Sequence, residues 1–326
     1  MPVLGVIGTM VWDRIHARDG RATVVQEWGG ITYALAAAAA ARPEGWTVIP
    51  IIKIGRDLQE EAYRFLRRHP GFELESGLRV VAAPNNRVEL RYHDSERRFE
   101  RMSGGVPPWT FEELAPVLSK LDALYINFIS GFEFGLEVAQ RVRAAFPGPI
   151  YADLHSLFLG IDESGLRIPQ PLDHWREWLR CFDIVQVNEE ELEILAQPWG
   201  DPWRFAAEAV GHELKLLIVT MGTRGAAYVV SPDYGDGPLS WRRDVVTAPL
   251  AAGATAKSAK FPPPLGVLAG DPTGCGDVWG ATCFSAMLAG YSLDASVQRA
   301  LEAAGRNVRY RGATGLYDHL LGRIPT

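Results

Sequence analysis

Short apolar runs rich in branched side chains alternate along the chain with longer segments that are apolar on one face only. The apolar runs are Val3–Gly8, Trp46–Ile54, Leu124–Ile129, Ile150–Leu154, Ile184–Val187 and Leu214–Thr220. The amphipathic segments include Leu58–Arg68, Phe111–Leu121, Phe134–Phe146 and Trp203–Glu213. Strands that are apolar on both faces and alternate with helices are typical of a mostly parallel sheet covered on both sides. The pattern therefore predicts an α/β fold.

Three stretches depart from this alternation. Arg14–Trp28 contains an Asp-Gly pair at 19–20, a strong signal for a tight hairpin, and Arg87–Met102 alternates apolar and polar residues around a turn near 94–95. Two interpretations are open: one small β lid built from both segments, or two unrelated surface hairpins. The third stretch, Ala248–Leu268, is predicted to be an extended loop, and its length is more typical of a functional loop than of a linker.

Composition and charge narrow the functional classes. The 326 residues suffice for two domains or one large α/β domain with an accessory piece, and 47% hydrophobic with 22% charged residues is ordinary for a globular protein. The formal net charge of −6 argues against a broad nucleic-acid surface. The nearly unbroken apolar run Tyr33–Ala41 is too short to cross a bilayer, and Asp13 interrupts the place where a signal peptide keeps its apolar core. Three cysteines are too few for a disulfide framework, so we predict a cytoplasmic protein.

The segment 271–277, Asp-Pro-Thr-Gly-Cys-Gly-Asp, carries the most chemistry. Two glycines around one small residue let successive amide groups turn into one cavity, and the helix predicted from Val278 adds the positive end of its dipole. Asp277 would lie in the first helical turn, where its carboxylate could take a proton from a hydroxyl. An ordinary entry from loop to helix, with Asp277 stabilising the dipole, explains the same residues without function.

This segment resembles the C-terminal signature of the ribokinase (phosphofructokinase-B type) family of sugar and nucleoside kinases. The resemblance implies a three-layer α/β/α fold with a mostly parallel central sheet and a small β lid. Residues 1–326 would form one kinase domain, with the lid contributed by two inserted segments at roughly 13–30 and 85–104. Lids of this family often pair between subunits, so a homodimer through the lid is expected by resemblance.

The resemblance assigns the chemistry of the C-terminal loop. Asp277 would be the catalytic base, and the amides of Gly274, Cys275 and Gly276 would form an anion hole for the γ-phosphoryl group of ATP. Because a helix N-terminus can lower a thiol pKa, we hypothesise that Cys275 reacts with alkylating agents unless nucleotide shields it.

The sequence Asn-Glu-Glu-Glu at 188–191 directly follows a predicted strand. Asn188 with Glu191 three residues later forms a capping-box pattern, which is a sufficient structural explanation. The pair also resembles the family's Asn-x-x-Glu motif, which implies that Glu191 helps to organise Mg²⁺ through water. By the same resemblance, Asp271 and Thr273 would touch a monovalent cation such as K⁺.

A glycine-containing loop, Thr220-x-Gly222-x-x-Gly225, follows the last predicted parallel strand. A hairpin turn explains the glycines without function. The loop is similar to the family's Thr-x-Gly-x-x-Gly segment, which implies that Thr220, Gly222 and Gly225 contact ATP.

The N-terminal part of the chain carries the candidate acceptor site. The resemblance implies that Asp13, Gly29 and Gly30 bind the sugar-like substrate, since a carboxylate can accept two hydroxyl hydrogen bonds and glycines allow close approach. Ala34 departs from the family pattern, where many sugar kinases carry an Asn. His155 stands near the family's Asp-x-Asn segment, and both a substrate contact and a structural role are open for it.

These residues predict an ATP-dependent kinase that phosphorylates a hydroxyl of a small sugar-like or nucleoside-like acceptor beneath a closing lid. The main alternative is a catalytically silent ligand-binding regulator on the same fold, for which Ala34 leaves room while an intact Asp277 speaks against it. A nicotinamide-dependent dehydrogenase is the weaker alternative, because the glycines at 5 and 8 do not form a G-x-G-x-x-G motif.

Overall fold

The structure is a computed structural model, and it describes residues 1–16, 24–92, 98–241, 255–264, 266 and 270–324. The predicted turns at 19–20 and 94–95 lie outside the described residues, as do positions 248–254, 265, 267 and 268 of the predicted loop. The described part of that loop differs from the prediction, because it contains the strand Lys257–Phe261. Within the described residues, no helix is long and apolar enough to cross a membrane.

Strands and helices alternate along most of the chain. The strands are, in chain order, β1 (Val3–Ile7), β2 (Met10–His16), β3 (Val24–Gly30), β4 (Thr47–Gly55), β5 (Leu78–Val81), β6 (Arg87–Tyr92), β7 (Arg98–Ser103), β8 (Ala123–Asn127), β9 (Ile150–Asp153), β10 (Leu159–Ile161), β11 (Arg167–Pro169), β12 (Ile184–Asn188), β13 (Leu216–Thr220), β14 (Ala226–Val230) and β15 (Lys257–Phe261). The helices are α1 (Thr32–Ala41), α2 (Gln59–Leu66), α3 (Phe111–Leu118), α4 (Leu136–Ala145), α5 (Trp175–Leu179), α6 (Glu189–Ala196), α7 (Pro202–His212), α8 (Cys275–Leu288), α9 (Leu293–Asn307) and α10 (Leu316–Leu320).

Nine of the described strands form the main sheet, in the order β15-β14-β13-β12-β9-β8-β1-β4-β5. The pairs from β12–β13 across to β4–β5 are parallel, whereas β14 and β15 join antiparallel at one edge. The carboxyl ends of the parallel strands therefore meet along one edge of the sheet, which is where ligands bind in such folds.

Helices cover both faces of this sheet. Side chains of α1, α2, α8, α9 and α10 share one apolar cluster with alternate sheet residues such as Val6 and Tyr125. Side chains of α3 to α7 share the other cluster with the neighbouring residues Ile7 and Ile126. Because successive residues of a strand face opposite sides, strands apolar on both faces are what this arrangement needs. The predicted three-layer α/β/α architecture is confirmed.

The two irregular segments form one small sheet, in the order β3-β2-β6-β7. The hairpin β2–β3 is antiparallel, with Trp12 opposite Trp28, and β6–β7 is antiparallel as well. The hairpins join through a parallel pairing in which Asp13 lies opposite Val88. A single lid is thus found rather than two unrelated hairpins, and its first strand begins at Met10, before the predicted boundary. The small hairpin β10–β11, which the sequence pattern does not predict, contacts the lid through a bridge between Arg101 and Leu166.

Candidate active site

A cavity of about 660 Å³ lies between the lid and the carboxyl edge of the main sheet. Most of the predicted site residues line it: Asp13, Gly30, Asn188, Glu191, Thr220, Gly222, Asp271, Thr273, Gly274, Cys275, Gly276 and Asp277. Gly29 and Gly225 are not among its lining residues. The fold therefore brings together motifs that are far apart in the sequence.

The loop at 271–274 is held in shape by its own polar groups. Asp271 Oδ1 accepts hydrogen bonds from the Thr273 amide at 3.0 Å and from the Thr273 hydroxyl at 2.6 Å. Gly274 has φ +73°, and a Cβ added there would lie 2.2 Å from the Tyr33 ring. Both the left-handed backbone and the close ring require glycine at this position. The helix α8 begins directly afterwards.

Two of the three predicted anion-hole amides are open. The amides of Gly274 and Gly276 form no hydrogen bond with any residue that the structure describes. The Cys275 amide instead donates to the Pro272 carbonyl at 3.1 Å. This corrects the expectation for Cys275, because an amide used within the turn is not open to a phosphoryl group. Gly274 and Gly276 still present donors at the N-terminus of α8, the arrangement that favours an anion.

The Cys275 side chain also differs from expectation. Its thiol donates to the Ala304 carbonyl at 3.7 Å and accepts a hydrogen bond from Asn307 Nδ2 at 3.3 Å. Burial raises the pKa of Cys275 to about 11, although the Asn307 bond opposes that rise. The helix N-terminus therefore does not activate this thiol, and Cys275 serves as a small residue that fits the turn.

Asp277 has one carboxylate oxygen held and one open. Oδ1 accepts a hydrogen bond of 2.7 Å from Asn127 Nδ2, whereas Oδ2 has no partner among the described residues. Burial raises the pKa of Asp277, while the Asn127 bond and the nearby His155 act to lower it. A carboxylate with a raised pKa is a stronger base, so these surroundings suit proton transfer.

Asn188 and Glu191 form the capping box that the sequence predicts. Asn188 Oδ1 accepts from the Glu191 amide at 2.9 Å, and Glu191 Oε2 accepts from the Asn188 amide at 2.8 Å. Glu191 Oε1 also receives Asn188 Nδ2 at 2.7 Å and lies 2.9 Å from His155 Nδ1. The structural explanation is therefore present, and Glu191 still lines the cavity.

An excess of carboxylates marks this part of the cavity. The pKa of Asp153 is raised to about 8, first by burial and then by the charges of Glu191 and Asp277. A bound cation would relieve that repulsion, and Mg²⁺ prefers oxygen ligands together with several waters. Within the described residues, no three His, Cys, Asp or Glu side chains form a complete metal site, so a metal here would also need ligands from water or from substrate phosphates.

Gln186 and Asn127 are buried polar residues that the sequence reasoning missed. Gln186 Nε2 donates to Asp153 Oδ2 at 2.8 Å and to the Gly276 carbonyl at 3.1 Å, and its Oε1 accepts from Tyr151 at 2.6 Å. Gln186 therefore connects the sheet to the start of α8. The available signal was an amide side chain within or at the end of an otherwise apolar strand, which is unfavourable unless it is hydrogen-bonded.

The glycine-containing loop at 220–225 is a tight turn between β13 and β14. The Met221 amide donates to the Gly225 carbonyl at 2.8 Å, and Gly225 has φ +91°. A Cβ at Gly225 would lie 2.0 Å from the Phe261 carbonyl oxygen, which is a structural reason for glycine. Thr220 and Gly222 face the cavity, so the turn and the predicted ATP contact are compatible.

On the lid side of the cavity, the carboxylate of Asp13 packs closely against Gly29. Asp13 is 8% exposed, and a Cβ added to Gly29 would lie 1.9 Å from Asp13 Oδ2. Ala34 is completely buried within α1 and does not line the cavity, so it contributes no hydrogen bond to a ligand. His155 lines the cavity, as does Arg167 from β11, which the sequence reasoning did not single out.

Comparison with known proteins agrees with this arrangement. The model of the pfkB family carbohydrate kinases matches residues 162–319. A search of curated protein sequences finds no match. Among solved structures, the ribokinase of Thermotoga maritima is 20% identical with a TM-score of 0.70, and the alignment covers 99% of each chain.

Two further structures are similar over the whole chain. A pyrophosphate-dependent kinase of the ribokinase family, solved with sulfate, is 18% identical with a TM-score of 0.71, covering 99% of this chain and 100% of that one. Ribokinase from Cryptococcus neoformans, solved with ADP, is 17% identical with a TM-score of 0.65 and 99% coverage of both chains. Residues 162–319 thus match the pfkB family of carbohydrate kinases, and the whole chain has the fold of the ribokinase structures.

Proposed function

We propose that this chain transfers the γ-phosphoryl group of ATP to a hydroxyl of a small sugar-like or nucleoside-like acceptor. The observation that carries the proposal is the open Oδ2 of Asp277 in the same cavity as the open amides of Gly274 and Gly276. A base for the hydroxyl and donors for the phosphoryl group thus lie within one helical turn. Phosphoryl transfer depends mainly on such positioning and charge stabilisation.

In the proposed reaction, Asp277 takes the proton of the acceptor hydroxyl. The acceptor oxygen then bonds to the γ-phosphorus, and the bond from that phosphorus to the bridging oxygen of ADP breaks. The amides of Gly274 and Gly276, with the dipole of α8, stabilise the negative charge on the phosphoryl oxygens. The proton on Asp277 leaves to solvent when the product is released.

The acidic part of the cavity fits Mg²⁺. Glu191 would hold the ion through water, with Asn188 beside it, and Mg²⁺ when bound neutralises charge on the phosphates. Asp271 and Thr273 remain the proposed contacts for a monovalent cation such as K⁺.

The two ends of the cavity suggest where the reactants bind. We propose that Thr220, Gly222 and Gly225 lie against the nucleotide, and that Asp13, Gly29 and Gly30 hold the acceptor under the lid. Lid side chains Val88, Leu90 and Met102 form an apolar wall on that side, and exclusion of water there would limit ATP hydrolysis. A homodimer through the lid stays a prediction, which analytical ultracentrifugation tests.

Pyrophosphate is the alternative donor, because three similar structures are of pyrophosphate-dependent kinases, one of them solved with a pyrophosphate analogue and myo-inositol. A catalytically silent regulator is the other alternative. The dehydrogenase interpretation has no structural feature in its favour: Gly5 lies within β1, where a Cβ would come 2.4 Å from Leu121, so packing accounts for the glycine.

The decisive experiment is a donor and acceptor screen. ATP–Mg²⁺ and pyrophosphate–Mg²⁺ are each offered with sugars, sugar phosphates, sugar acids, nucleosides and cyclitols, and the phosphorylated product is detected by ³¹P NMR. We expect acceptor-dependent ADP formation matched by one equivalent of product. Product formed with pyrophosphate but not with ATP would show that pyrophosphate is the donor. Ligand-induced thermal stabilisation without product from either donor would instead favour the silent regulator.

A further inference from the structure

Asn127 ends the central strand β8, at the edge of the sheet that faces the cavity. All five residues of β8 are buried, and Asn127 is 0% exposed. It lies beside Asp153 in the parallel register with β9. Burying an amide side chain is unfavourable unless a hydrogen bond compensates for the lost water. The position of Asn127 in this strand therefore calls for a specific partner.

That partner is the proposed base. Asn127 Nδ2 donates to Asp277 Oδ1 at 2.7 Å, across 150 positions of sequence. Asn127 Oδ1 is buried without a hydrogen-bond partner among the described residues, whereas Nδ2 bonds to Asp277 and the side chain also acts on the neighbouring Tyr125 hydroxyl. Since Asn127 occupies one carboxylate oxygen from the sheet side, the other oxygen is left for the cavity.

We propose that Asn127 is a positioning residue for Asp277: it fixes Oδ1 so that Oδ2 meets the acceptor hydroxyl, and the hydrogen bond that it donates favours the ionised form of the carboxyl group. This inference rests on the proposed function, because it assumes that Asp277 acts as the base. It predicts that loss of the amide changes both the orientation and the protonation of Asp277, whereas a purely structural amide would change stability alone.

The surroundings of Asp277 change its pKa in both directions. Burial raises the pKa of Asp277, and the bond from Asn127 is the largest influence that lowers it. His155 lowers it as well, while the charge of Asp277 raises the pKa of Asp153. The charge of Asp277 also raises the pKa of three other neighbouring groups: Tyr33 on α1, Cys275 on α8 and Tyr125 on β8.

The test measures the carboxyl group of Asp277 directly. The enzyme is labelled with ¹³Cγ-aspartate and titrated by NMR, and the Asp277 signal is assigned by its loss in Asp277→Asn. In Asn127→Leu and Asn127→Ala we expect the pKa of Asp277 to rise by about one unit, since a hydrogen bond to a charged group is removed. Asn127→Asp keeps the shape of the side chain and, with a second carboxylate beside Asp277, raises that pKa as well.

Asn86→Leu is the matched control. Asn86 is also a buried amide, 3% exposed, but its side chain accepts from the Val106 amide and does not touch Asp277. We expect this variant to change stability while leaving the Asp277 titration where it is in the wild type. An unchanged Asp277 pKa in all three Asn127 variants, with circular dichroism showing that they fold, would overturn the inference.

Turnover with the acceptor selected by the phosphorylation screen separates the two proposals. We expect kcat to fall about 10- to 100-fold in Asn127→Ala, and the acidic limb of its pH profile to move to higher pH, with a smaller change in KM. If Asp277→Asn abolishes turnover but Asn127→Ala keeps the wild-type pH limb, only the role of Asn127 is wrong. If Asp277→Asn turns over normally, the proposed base is wrong.

Discussion

Two histidines in different regions of the molecule have pKa values that are shifted in opposite directions. His69 is 6% exposed and packs against the rings of Phe65 and Phe72, with centroids 4.9 and 5.1 Å away. Burial lowers the pKa of His69 to about 4. Its surroundings offer no carboxylate in hydrogen-bond contact among the described residues, so the neutral ring is favoured.

His155 sits at the cavity, where its side chain is 48% exposed. Burial acts to lower its pKa, but the hydrogen bond that the ring donates to Glu191 and the charges of Glu191, Asp153 and Asp277 outweigh burial and raise the pKa to about 9. Carboxylates concentrated at one edge of the sheet therefore hold this ring as a cation. A shifted histidine pKa therefore indicates a functional cavity only when specific neighbouring charges, and not burial alone, cause the shift.

The strongest way to test the charged region is to remove its central acid. Asp277→Asn keeps the shape and the neighbouring groups but cannot accept a proton, so we expect turnover to fall by about 10²- to 10⁴-fold, while ATP binding persists. Turnover is followed by ADP release and binding by calorimetry. Asp294→Asn is the control, because Asp294 bonds to Tyr228 on the surface, away from the cavity. Near-normal turnover in Asp277→Asn would remove this residue from the mechanism.

The apolar surroundings of His69 predict how the stability of the protein changes at acid pH. The unfolded chain binds a proton at His69 below pH about 6.5, whereas the folded protein resists it until about pH 4, so stability falls as pH drops through this window. We expect His69 to account for about 3 kcal/mol of the stability lost between pH 7 and pH 4.

Urea unfolding of the wild type and of His69→Phe at both pH values checks this. The phenylalanine variant keeps an aromatic ring but has no titrating group, so its loss of stability should be smaller by that amount. Equal losses in both proteins would show that His69 does not remain neutral in the fold.

The smallest expected effect concerns His155 itself. Glu191→Gln removes the carboxylate bonded to Nδ1, so we expect the pKa of His155 to fall by about one unit or more in Mg²⁺-free buffer. Two-dimensional NMR of the ring measures the titration. Glu189→Gln is a matched control from the same helical turn, since Glu189 pairs with Arg224 instead. A His155 titration that moves equally in both variants would assign the shift to general surface charge.

Most of the central fold was predictable from local pattern. Apolar runs such as Ile184–Val187 locate strands closely, because a strand buried on both faces needs an apolar residue at each position. The lid was harder: its two hairpins could be recognised separately, but their parallel junction between β2 and β6 depends on chain segments far apart. The hairpin β10–β11 was missed because its strands are only three residues long.

The candidate site was predictable where it is contiguous. Residues 271–277 carry the glycines and the acid in one motif, and the structure places them together at the cavity. The use of the Cys275 amide within the turn could not be predicted, since the donor capacity of a loop depends on its exact backbone path. The same holds for the thiol, whose burial outweighs the helix N-terminus.

The α/β class and an acid in the first turn of a helix that follows the glycine motif could be read from local pattern, because periodicity and a short motif are local properties; the structure starts that helix at Cys275, three residues before the predicted run. Only the tertiary structure decided which oxygen of Asp277 is held by Asn127, and which of two histidines carries a charge. Burial and the electric field at a side chain arise from groups that are distant in the sequence, so they exist only once the chain has folded.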